Sequence, residues 1–388
     1  MNSPGIFNLI KSSSGGKARA GELATAHGKV TTPVFCPVAS QGTVKTMTPD
    51  EIREIGFEML LANTYHLYLR PGIEVVEKMG GLHNFMGWDK AILTDSGGYQ
   101  VFSLSRLRRV SDEGVVFRSH LDGSEHLITP ESAVRYQESL GGDIIMVLDE
   151  CPPHDESYDK VKEATHRTHR WAEKCLKTHS SNQSLFAIVQ GGVSAELRRE
   201  SAEYLASLDF PGYAIGGLSI GEAKQVTLDM VEKTVSHLPV NKPRYLMGVG
   251  SPEDIVEGVY RGIDIFDSAL PTRVARNGAL FTRQGRVNIR NAGFSLMEQP
   301  VDPDCNCYSC RTFSAAYLHH LFNARELLAY RLATIHNLTF IKRLMEDISR
   351  AISEDSFDSF RTEFLAGYRT TNEQVRLEQK RKWLKRRA

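Results

Sequence analysis

Two aspartates far apart in the sequence have the surroundings expected of catalytic carboxylates. Asp95 lies in the run Ala-Ile-Leu-Thr-Asp-Ser-Gly-Gly-Tyr-Gln over 91–100, and Asp267 lies in Ile-Phe-Asp-Ser-Ala-Leu-Pro-Thr-Arg over 265–273. Each follows a short apolar segment and precedes small or turn-forming residues, which is typical of a side chain projecting from a strand end into a cleft. Two such carboxylates can share a reaction, since one can attack carbon while the other moves a proton.

Eight apolar segments before residue 270 are predicted to be strands, because most are apolar at consecutive positions, as in parallel strands buried on both faces. They span 34–38, 58–62, 91–94, 143–148, 184–189, 213–215, 244–247 and 263–266. Helices are predicted in the gaps, at 49–55, 130–140, 158–179, 195–207, 223–237 and 252–261. Eight such repeats most naturally close into an α/β fold of the (β/α)8 TIM-barrel type. An open, doubly wound sheet is the alternative.

The residues that follow these segments favour the barrel, because barrel enzymes build their sites at the carboxyl ends of the strands. A single ending of this kind would mark an ordinary turn. A series of carboxylates, amides and glycines at successive strand ends instead predicts a binding cleft. The endings are Asn63-Thr-Tyr, Asp95-Ser-Gly-Gly, Asp149-Glu-Cys, Gln190-Gly-Gly, Gly216-Gly-Leu, Gly248-Val-Gly and Asp267-Ser.

Bulk composition narrows the function classes. The 388 residues carry 47 basic and 47 acidic side chains, so the formal net charge is zero and any affinity for nucleic acid must come from local patches. No apolar stretch approaches the ~18 residues of a membrane span, and the N-terminus lacks a signal-peptide pattern. We therefore expect a cytoplasmic protein with no membrane partner. Two histidines on the third predicted helix, His166 and His169, are expected to face solvent.

Three of the six cysteines form a tight cluster, Cys305-Asn-Cys-Tyr-Ser-Cys310. In a reducing compartment such a cluster predicts a metal site rather than disulfides. Zinc is the expected ion for a Cys₃His set, and four protein ligands leave no open position, so the site is expected to be structural. Spacing does not select the fourth ligand among His319, His320 and His336.

Several motifs follow one another in a fixed order: Asp95-Ser-Gly-Gly-Tyr-Gln, Asp149-Glu-Cys, Gln190-Gly-Gly, Gly216-Gly-Leu-Ser-Ile-Gly-Glu, Phe266-Asp-Ser-Ala-Leu-Pro-Thr-Arg and the cysteine cluster. In these motifs, and from about Phe7 to the final helices, the chain resembles the bacterial queuine tRNA-ribosyltransferases, also called tRNA-guanine transglycosylases. The resemblance implies a catalytic barrel over 1–287, with a hairpin insertion at about 102–128 signalled by Asp122-Gly. It also implies a zinc-binding subdomain over 288–388, whose last helices complete the barrel.

The resemblance further implies an activity. Members of the family exchange guanine at the wobble position of tRNAs with a GUN anticodon, those for aspartate, asparagine, histidine and tyrosine. The incoming base is 7-aminomethyl-7-deazaguanine, and the product serves queuosine biosynthesis. Exchange at one carbon with retained stereochemistry requires two inversions through a covalent enzyme–RNA intermediate. The expected partners are tRNA, the deazaguanine base and a second copy of the chain.

Site roles follow from the same resemblance. Asp267 is the expected nucleophile and Asp95 the expected general acid/base, although chemistry alone would allow these two roles to be exchanged. Glu222 is expected to steady the peptide between Leu218 and Ser219. The positions that match the base pocket are Asp95, Tyr99, Asp149, Cys151, Gln190, Gly217, Leu218 and Met247.

Three further positions concern RNA, zinc and substrate size. Arg273 and Arg276 match the family's readers of the uridines that flank the target guanine. The predicted zinc set is Cys305, Cys307, Cys310 and His336. Ile220 stands where a bulky side chain should disfavour the large queuine substituent.

Two other function classes remain as alternatives. A non-catalytic tRNA-binding subunit would not need Asp95, Asp149 and Asp267. A zinc-dependent hydrolase of nucleosides would need an open metal position and would form no covalent adduct with RNA.

Overall fold

The computed structural model describes residues 6–104, 108–370 and Glu378. Within these residues, eight parallel strands form one sheet. In the order in which they pair, they are Val34–Pro37, Ile265–Ser268, Arg244–Leu246, Tyr213–Ile215, Ser184–Val189, Ile144–Met146, Ala91–Asp95 and Met59–Asn63. A parallel bridge between Val38 and Leu61 joins its two edges, so the sheet closes into a barrel and the fold prediction is confirmed. The barrel strands are β4 Val34–Pro37, β5 Met59–Asn63, β6 Ala91–Asp95, β10 Ile144–Met146, β11 Ser184–Val189, β12 Tyr213–Ile215, β13 Arg244–Leu246 and β14 Ile265–Ser268.

Alternation along the strands explains why the segments are apolar throughout. On β4, Cys36 and its neighbour Phe35 are both buried but belong to different apolar clusters. Ile265 and Phe266 of β14 divide in the same way. Since successive side chains point to opposite faces, a strand covered on both sides is apolar at consecutive positions, and polar residues such as Asp95 stand at strand ends.

Helices surround the barrel, and their starts follow the predicted signals. Thr48 accepts a hydrogen bond from the Glu51 amide while the Glu51 carboxylate accepts one from the Thr48 amide, which caps the first helix. The helices are α1 Pro49–Ile55, α2 Thr64–Leu69, α3 Ile73–Lys78, α4 Gly81–Met86, α5 Gly98–Leu104, α6 Pro130–Leu140, α7 Tyr158–Thr178, α8 Ala195–Ser207, α9 Lys224–Val235, α10 Pro252–Tyr260, α11 Leu270–Arg276, α12 Tyr308–Thr312, α13 Ala315–Ala324, α14 Leu327–Ser353 and α15 Phe357–Gly367. Residues Ala292–Phe294 form a short 3₁₀ helix.

In the part of the chain that the structure describes, three antiparallel sheets lie outside the barrel. The first packs at the amino ends of the barrel strands, because Arg19 forms a two-pronged ion pair with Asp264, the residue before β14. The second contains the hairpin on either side of Asp122, and the third follows α11, the helix after Asp267. Their strands are β1 Phe7–Ser12, β2 Arg19–Thr25, β3 Gly28–Thr32, β7 Arg108–Val110, β8 Val115–Arg118, β9 Glu125–Ile128, β15 Ala279–Thr282 and β16 Gly285–Asn288.

The long helix α14 connects the cysteine-rich segment to the barrel. Its early residue His336 is buried beside the cysteines, and its later residues Ile341 and Ile348 belong to the apolar layer outside the barrel. No helix among the described residues is long and apolar enough to cross a membrane.

Candidate active site and metal centre

The carboxyl ends of the barrel strands bring the predicted polar residues to one end of the barrel. Asp95 is the last residue of β6, and Asp267 is the penultimate residue of β14. Gln190 directly follows β11, and Asp149 follows β10 by three residues. Residues separated by up to 172 positions therefore share one cleft, because the strands run parallel.

Asp95 is buried among hydrogen-bond donors. Its Oδ1 accepts from the Thr64 amide at 2.9 Å, and its Oδ2 accepts from the side-chain amides of Gln100 at 2.9 Å and of Asn63. Burial raises the pKa of Asp95 to about 7, and the nearby charge of Asp267 adds to the rise while these hydrogen bonds oppose it. A carboxyl with this pKa can both release and accept a proton near neutral pH.

Asp267 is held from one side. Its Oδ1 accepts a hydrogen bond from the Tyr245 hydroxyl at 2.6 Å and from the Gly248 amide at 2.7 Å. Its Oδ2 receives no hydrogen bond from any described residue, and the side chain is partly exposed. Burial raises the pKa of Asp267, against the two hydrogen bonds. A carboxylate with one fixed and one open oxygen is suited to nucleophilic attack.

Asp149 and Gln190 form a pair. The Gln190 Nε2 donates to Asp149 Oδ2 at 2.7 Å, and the Ser96 hydroxyl lies 3.5 Å from Asp149 Oδ1. Burial raises the pKa of Asp149 to about 6, against these hydrogen bonds. The Gln190 Oε1 is buried and has no hydrogen-bond partner among the described residues. Such a carboxylate–amide pair presents both acceptors and a donor to the edge of a flat heterocycle.

The glycines after β12 are required by close packing against this pair. A Cβ on Gly217 would lie 2.3 Å from Gln190 Oε1, and its φ of +66° is also unfavourable for other residues. A Cβ on Gly216 would lie 2.8 Å from Gln190 Nε2. Leu218 follows them and is buried. The backbone at Gly217 and Leu218 therefore forms one wall of the cleft.

Glu222 organises the turn after Leu218 through four hydrogen bonds. Its Oε1 accepts from the Ser219 amide and from the Thr227 hydroxyl, and its Oε2 accepts from the amides of Ile220 at 3.1 Å and Gly221 at 3.0 Å. These donors hold the pKa of Glu222 below its usual value although burial works in the other direction. The charged side chain therefore fixes the backbone position of half-buried Ile220.

A buried arginine, which the sequence analysis missed, supports the same wall. Arg198 of α8 is fully buried and donates to the carbonyls of Gly216 at 2.8 Å, Gly192 at 2.8 Å and Val189 at 3.1 Å. It thereby ties the end of β11 to the loop after β12. A single arginine on an amphipathic helix normally faces solvent, as Arg199 does here, so the sequence carries no signal for this role.

The expectation that His169 faces solvent is wrong. His169 is buried because α7 packs against α8, and its Nε2 lies 3.0 Å from the Ser201 hydroxyl oxygen. That oxygen also accepts the Gln190 amide at 3.3 Å. His166 lies at the surface beside Glu200. The histidine thus contacts the residue that holds the backbone of Gln190.

The remaining base-pocket candidates differ in exposure. Tyr99 on α5 is 43 % exposed, as a surface that receives a ligand must be. Met247, directly after β13, is half-buried and packs on the barrel core. Cys151 is buried, and burial raises the pKa of its thiol to about 12, so the thiol is neutral.

The two arginines that follow Asp267 in the sequence lie on α11. Arg273 is exposed, and Arg276 is half-buried with its Nη1 donating to the Thr272 carbonyl at 2.8 Å. Both are carried by the helix that starts three residues after Asp267. The basic tail over 380–387 lies outside the described residues.

The metal prediction is supported by a buried group made of Cys305, Cys307, Cys310 and His336, whose ligand atoms all lie within 4.8 Å of one another. The His336 Nδ1 lies 3.3 Å from the Cys310 sulfur, while its Nε2 lies 2.7 Å from the Phe281 carbonyl oxygen. This orientation leaves Nδ1 free to bind a metal, since Nε2 carries the proton.

The other two histidine candidates do not reach the cysteines. The His319 Nδ1 lies 2.8 Å from the Ile289 carbonyl oxygen, and its other ring nitrogen contacts Asn323. His320 is exposed. The structure therefore selects His336 as the fourth member of a group whose donor set, three thiolates and one imidazole, suits zinc.

A second histidine–carboxylate group lies at the opposite end of the barrel. The rings of His27 and His83 stack with centroids 3.5 Å apart, and both approach Asp143. The His83 Nε2 also lies 3.1 Å from the Lys90 carbonyl oxygen. Stacked rings direct their nitrogen lone pairs along parallel lines, which do not converge on one ion. We interpret this group as a hydrogen-bonded brace between β3, α4 and β10.

Comparisons with known proteins show which family the chain resembles. A family model described as Queuine tRNA-ribosyltransferase matches residues 13–370. A protein of Dehalococcoides mccartyi named "Queuine tRNA-ribosyltransferase" is 62 % identical over 379 residues, which cover 97 % of each chain. Proteins with the same name from Pelotomaculum thermopropionicum and Halothermothrix orenii are 57 % and 55 % identical, over 90 % and 93 % of this chain and 95 % and 97 % of theirs.

Proposed function

The chain belongs to the queuine tRNA-ribosyltransferase family and is an enzyme of tRNA-guanine transglycosylation in queuosine synthesis, and we propose that it replaces guanine at the wobble position of GUN anticodons. The proposed incoming base is 7-aminomethyl-7-deazaguanine. The observation that carries this proposal is that Asp95, whose pKa is about 7, and Asp267, whose Oδ2 accepts no hydrogen bond from the described residues, lie at the same end of the barrel.

The proposed reaction has two half-reactions. In the first, a lone pair of an Asp267 oxygen forms a bond to ribose C1′. The C1′–N9 bond breaks, and the departing guanine takes its electron pair together with a proton from Asp95. In the second, N9 of the incoming base gives its proton back to Asp95 and bonds to C1′, and the C1′–O bond electrons return to Asp267. Two inversions retain the configuration at C1′.

The pocket residues are proposed to read the base edge. Asp149 would accept hydrogen bonds from the ring N–H and the exocyclic amine, and Gln190 with the Gly217 amide would donate to the carbonyl oxygen. The Leu218 carbonyl would accept from an aminomethyl group. Tyr99 and Met247 would enclose the two faces of the ring. The burial of Asp149 and its contact with Gln190 support this assignment.

Substrate size is proposed to be limited by Ile220. Glu222 accepts hydrogen bonds from the backbone amides of Ser219, Ile220 and Gly221, so the backbone of Ile220 cannot move away without breaking them. We expect Ile220→Gly to raise the use of queuine relative to the aminomethyl base in competition assays. Equal discrimination by the two proteins would contradict the steric argument.

RNA recognition is proposed to use α11. A target base stacked in an anticodon loop must be extracted, and the neighbouring nucleotides must be held apart from it. Arg273 and Arg276 lie within nine residues of Asp267 on a helix that begins at the cleft, which suits them to contact the flanking uridines. The zero net charge of the chain makes such local contacts necessary.

The Cys₃His group is proposed to hold one structural zinc ion per chain. When bound, the ion would link the loop of Cys305, Cys307 and Cys310 to α14 through His336, without an open position for chemistry. We also propose that the enzyme acts in the cytoplasm, as a homodimer. Exposed apolar side chains around the cysteine-rich segment, including Leu296 at 90 % and Leu327 at 79 %, support an interface there.

One assay distinguishes the proposed function from its alternatives. The enzyme is incubated with unmodified tRNA and radiolabelled guanine, and label in precipitated tRNA is counted. The proposal predicts incorporation that disappears in Asp267→Ala. Tight tRNA binding without incorporation would instead indicate a non-catalytic binding subunit, and release of free base without incorporation would indicate a hydrolase.

A further inference from the structure

The two oxygens of the Asp267 carboxylate have different surroundings. Oδ1 accepts both hydrogen bonds, from the Tyr245 hydroxyl at 2.6 Å and from the Gly248 amide at 2.7 Å. Oδ2 accepts none from the described residues, and the side chain is partly exposed. Rotation of the carboxylate by half a turn would exchange the oxygens but would leave the same division between a bound oxygen and an open one.

The strand register fixes this division. Tyr245 on β13 pairs with Ile265 on β14, and Asp267 follows Ile265 by two residues, so the phenol and the carboxylate point into the barrel on the same side. Tyr245 is fully buried and cannot turn towards solvent. Cys36 on β4 pairs with Asp267 from the other side and is also fully buried. The phenol is therefore a fixed donor aimed at one oxygen.

We propose that Tyr245 is a positioning residue for Asp267. Its hydrogen bond to Oδ1 leaves Oδ2 as the oxygen that attacks C1′. The same hydrogen bond stabilises the negative charge of the carboxylate, so it affects the two half-reactions in opposite directions. The inference rests on the proposed role of Asp267 as nucleophile. The Gly248 amide supplies the second donor, but it belongs to the backbone and is common to every side-chain variant.

The opposite effects follow from how a carboxylate acts first as nucleophile and then as leaving group. In the first half-reaction an Oδ2 lone pair forms the C1′–O bond as the C1′–N9 pair leaves with guanine. In the second, the C1′–O pair returns to the carboxylate as N9 of the new base bonds to C1′. A donor on Oδ1 stabilises the ionised carboxylate, so it slows capture of the ribose and speeds its release.

Removal of the phenol hydroxyl should therefore change the turnover number, the amount of trapped RNA adduct and the pH dependence of kcat/KM together. Only the difference between the hydrogen bond to the free carboxylate and the hydrogen bond to the esterified carboxylate affects the rate. We expect Tyr245→Phe to lower the turnover number about 10-fold and to increase the fraction of enzyme trapped as RNA adduct. The acid limb of kcat/KM for tRNA should move to higher pH by about one unit, because the nucleophile must be ionised and has lost a donor.

The test compares adduct and turnover in the same preparations. Mixtures of enzyme, tRNA and saturating base are quenched in detergent at steady state. The amount of RNA adduct is measured from the shifted band on a denaturing gel. The adduct ratio is this amount divided by the rate of base incorporation. Tyr213→Phe is the matched control, because Tyr213 is also fully buried on the adjacent strand β12 and has no hydrogen bond to Asp267. It should leave both the adduct ratio and the pH profile unchanged.

Each outcome has a defined meaning. A raised adduct ratio with a shifted acid limb in Tyr245→Phe supports the inference. A lower melting temperature and fewer active sites, with an unchanged ratio and limb, would overturn it and leave Tyr245 a packing residue. An adduct that still forms in Asp267→Asn would instead refute the proposed nucleophile. If Tyr245→Phe does not fold, a ring-difluorinated tyrosine at 245, a stronger donor, must move the ratio and the limb in the opposite direction.

Discussion

Adding one methyl group at Gly217 tests whether the glycine-lined wall shapes the base pocket. In Gly217→Ala the new Cβ would lie 2.3 Å from Gln190 Oε1, a distance that forces the amide to move. The displaced amide would lose its 2.7 Å hydrogen bond to Asp149. A hydrogen bond to a charged group contributes about 1.5–3 kcal/mol, so kcat/KM for the base should fall roughly 10- to 150-fold. The left-handed backbone adds about 1 kcal/mol of strain to the folded state.

A control substitution at Gly87 separates the effect of backbone strain from the effect of displacing the Gln190 side-chain amide. This residue has a φ of +67°, against +66° at Gly217, and a Cβ there would meet no atom within 4 Å. Gly87→Ala should therefore lose similar thermal stability but keep its kinetics. Initial rates of labelled guanine incorporation over a range of base concentrations, with melting curves for both variants, measure the two effects. Wild-type kinetics in Gly217→Ala, or an equal loss of kcat/KM in both variants, would refute the reasoning.

Three further predictions concern the pKa of a buried carboxyl, the metal and the buried arginine. The raised pKa of Asp95, about 7 when folded against 3.8 as its ordinary value, destabilises the fold as pH rises between these values. Asp95→Asn should therefore raise the melting temperature relative to wild type more at pH 8 than at pH 5, and an equal change at both would contradict this. His336→Ala should lose the equivalent of metal that elemental analysis finds in the wild type, whereas His320→Ala should retain it; retention in both variants would contradict the ligand assignment. Arg198→Lys should raise KM for the base several-fold while KM for tRNA stays unchanged, and Arg199→Lys should change neither; parallel effects in the two variants would exclude a positioning role.

The barrel could be predicted from sequence because its signals are local. Consecutive apolar residues mark strands that are covered on both faces, and the structure has strands at all eight predicted segments. Helices with a cap residue and a proline at the first position, such as α1 at Pro49–Ile55, begin where predicted. The first sheet was not predicted, because its strands, such as β1 with its alternating burial, lie outside the repeat.

The candidate site likewise contains residues that the sequence signals and residues that it does not. Asp95 and Asp267 carry a signal because each stands between an apolar strand and a turn. Arg198 and His169 carry none, because their burial depends on how α7 and α8 pack against each other rather than on their own segments. The choice of His336 over His319 likewise depends on where α14 passes the cysteine loop. Local sequence thus predicts the residues at strand ends, while the residues that hold them in place depend on tertiary packing.

The most direct test of the proposed chemistry is to identify the amino acid that carries the RNA. Quenched turnover mixtures are digested with nuclease and protease, and the peptides are mapped by mass spectrometry. We predict a ribose-derived mass on the peptide containing Asp267 in the wild type, and its loss in Asp267→Asn together with loss of base exchange. An unmodified Asp267 peptide during turnover, with the added mass on another residue and an active Asp267→Asn enzyme, would contradict the account.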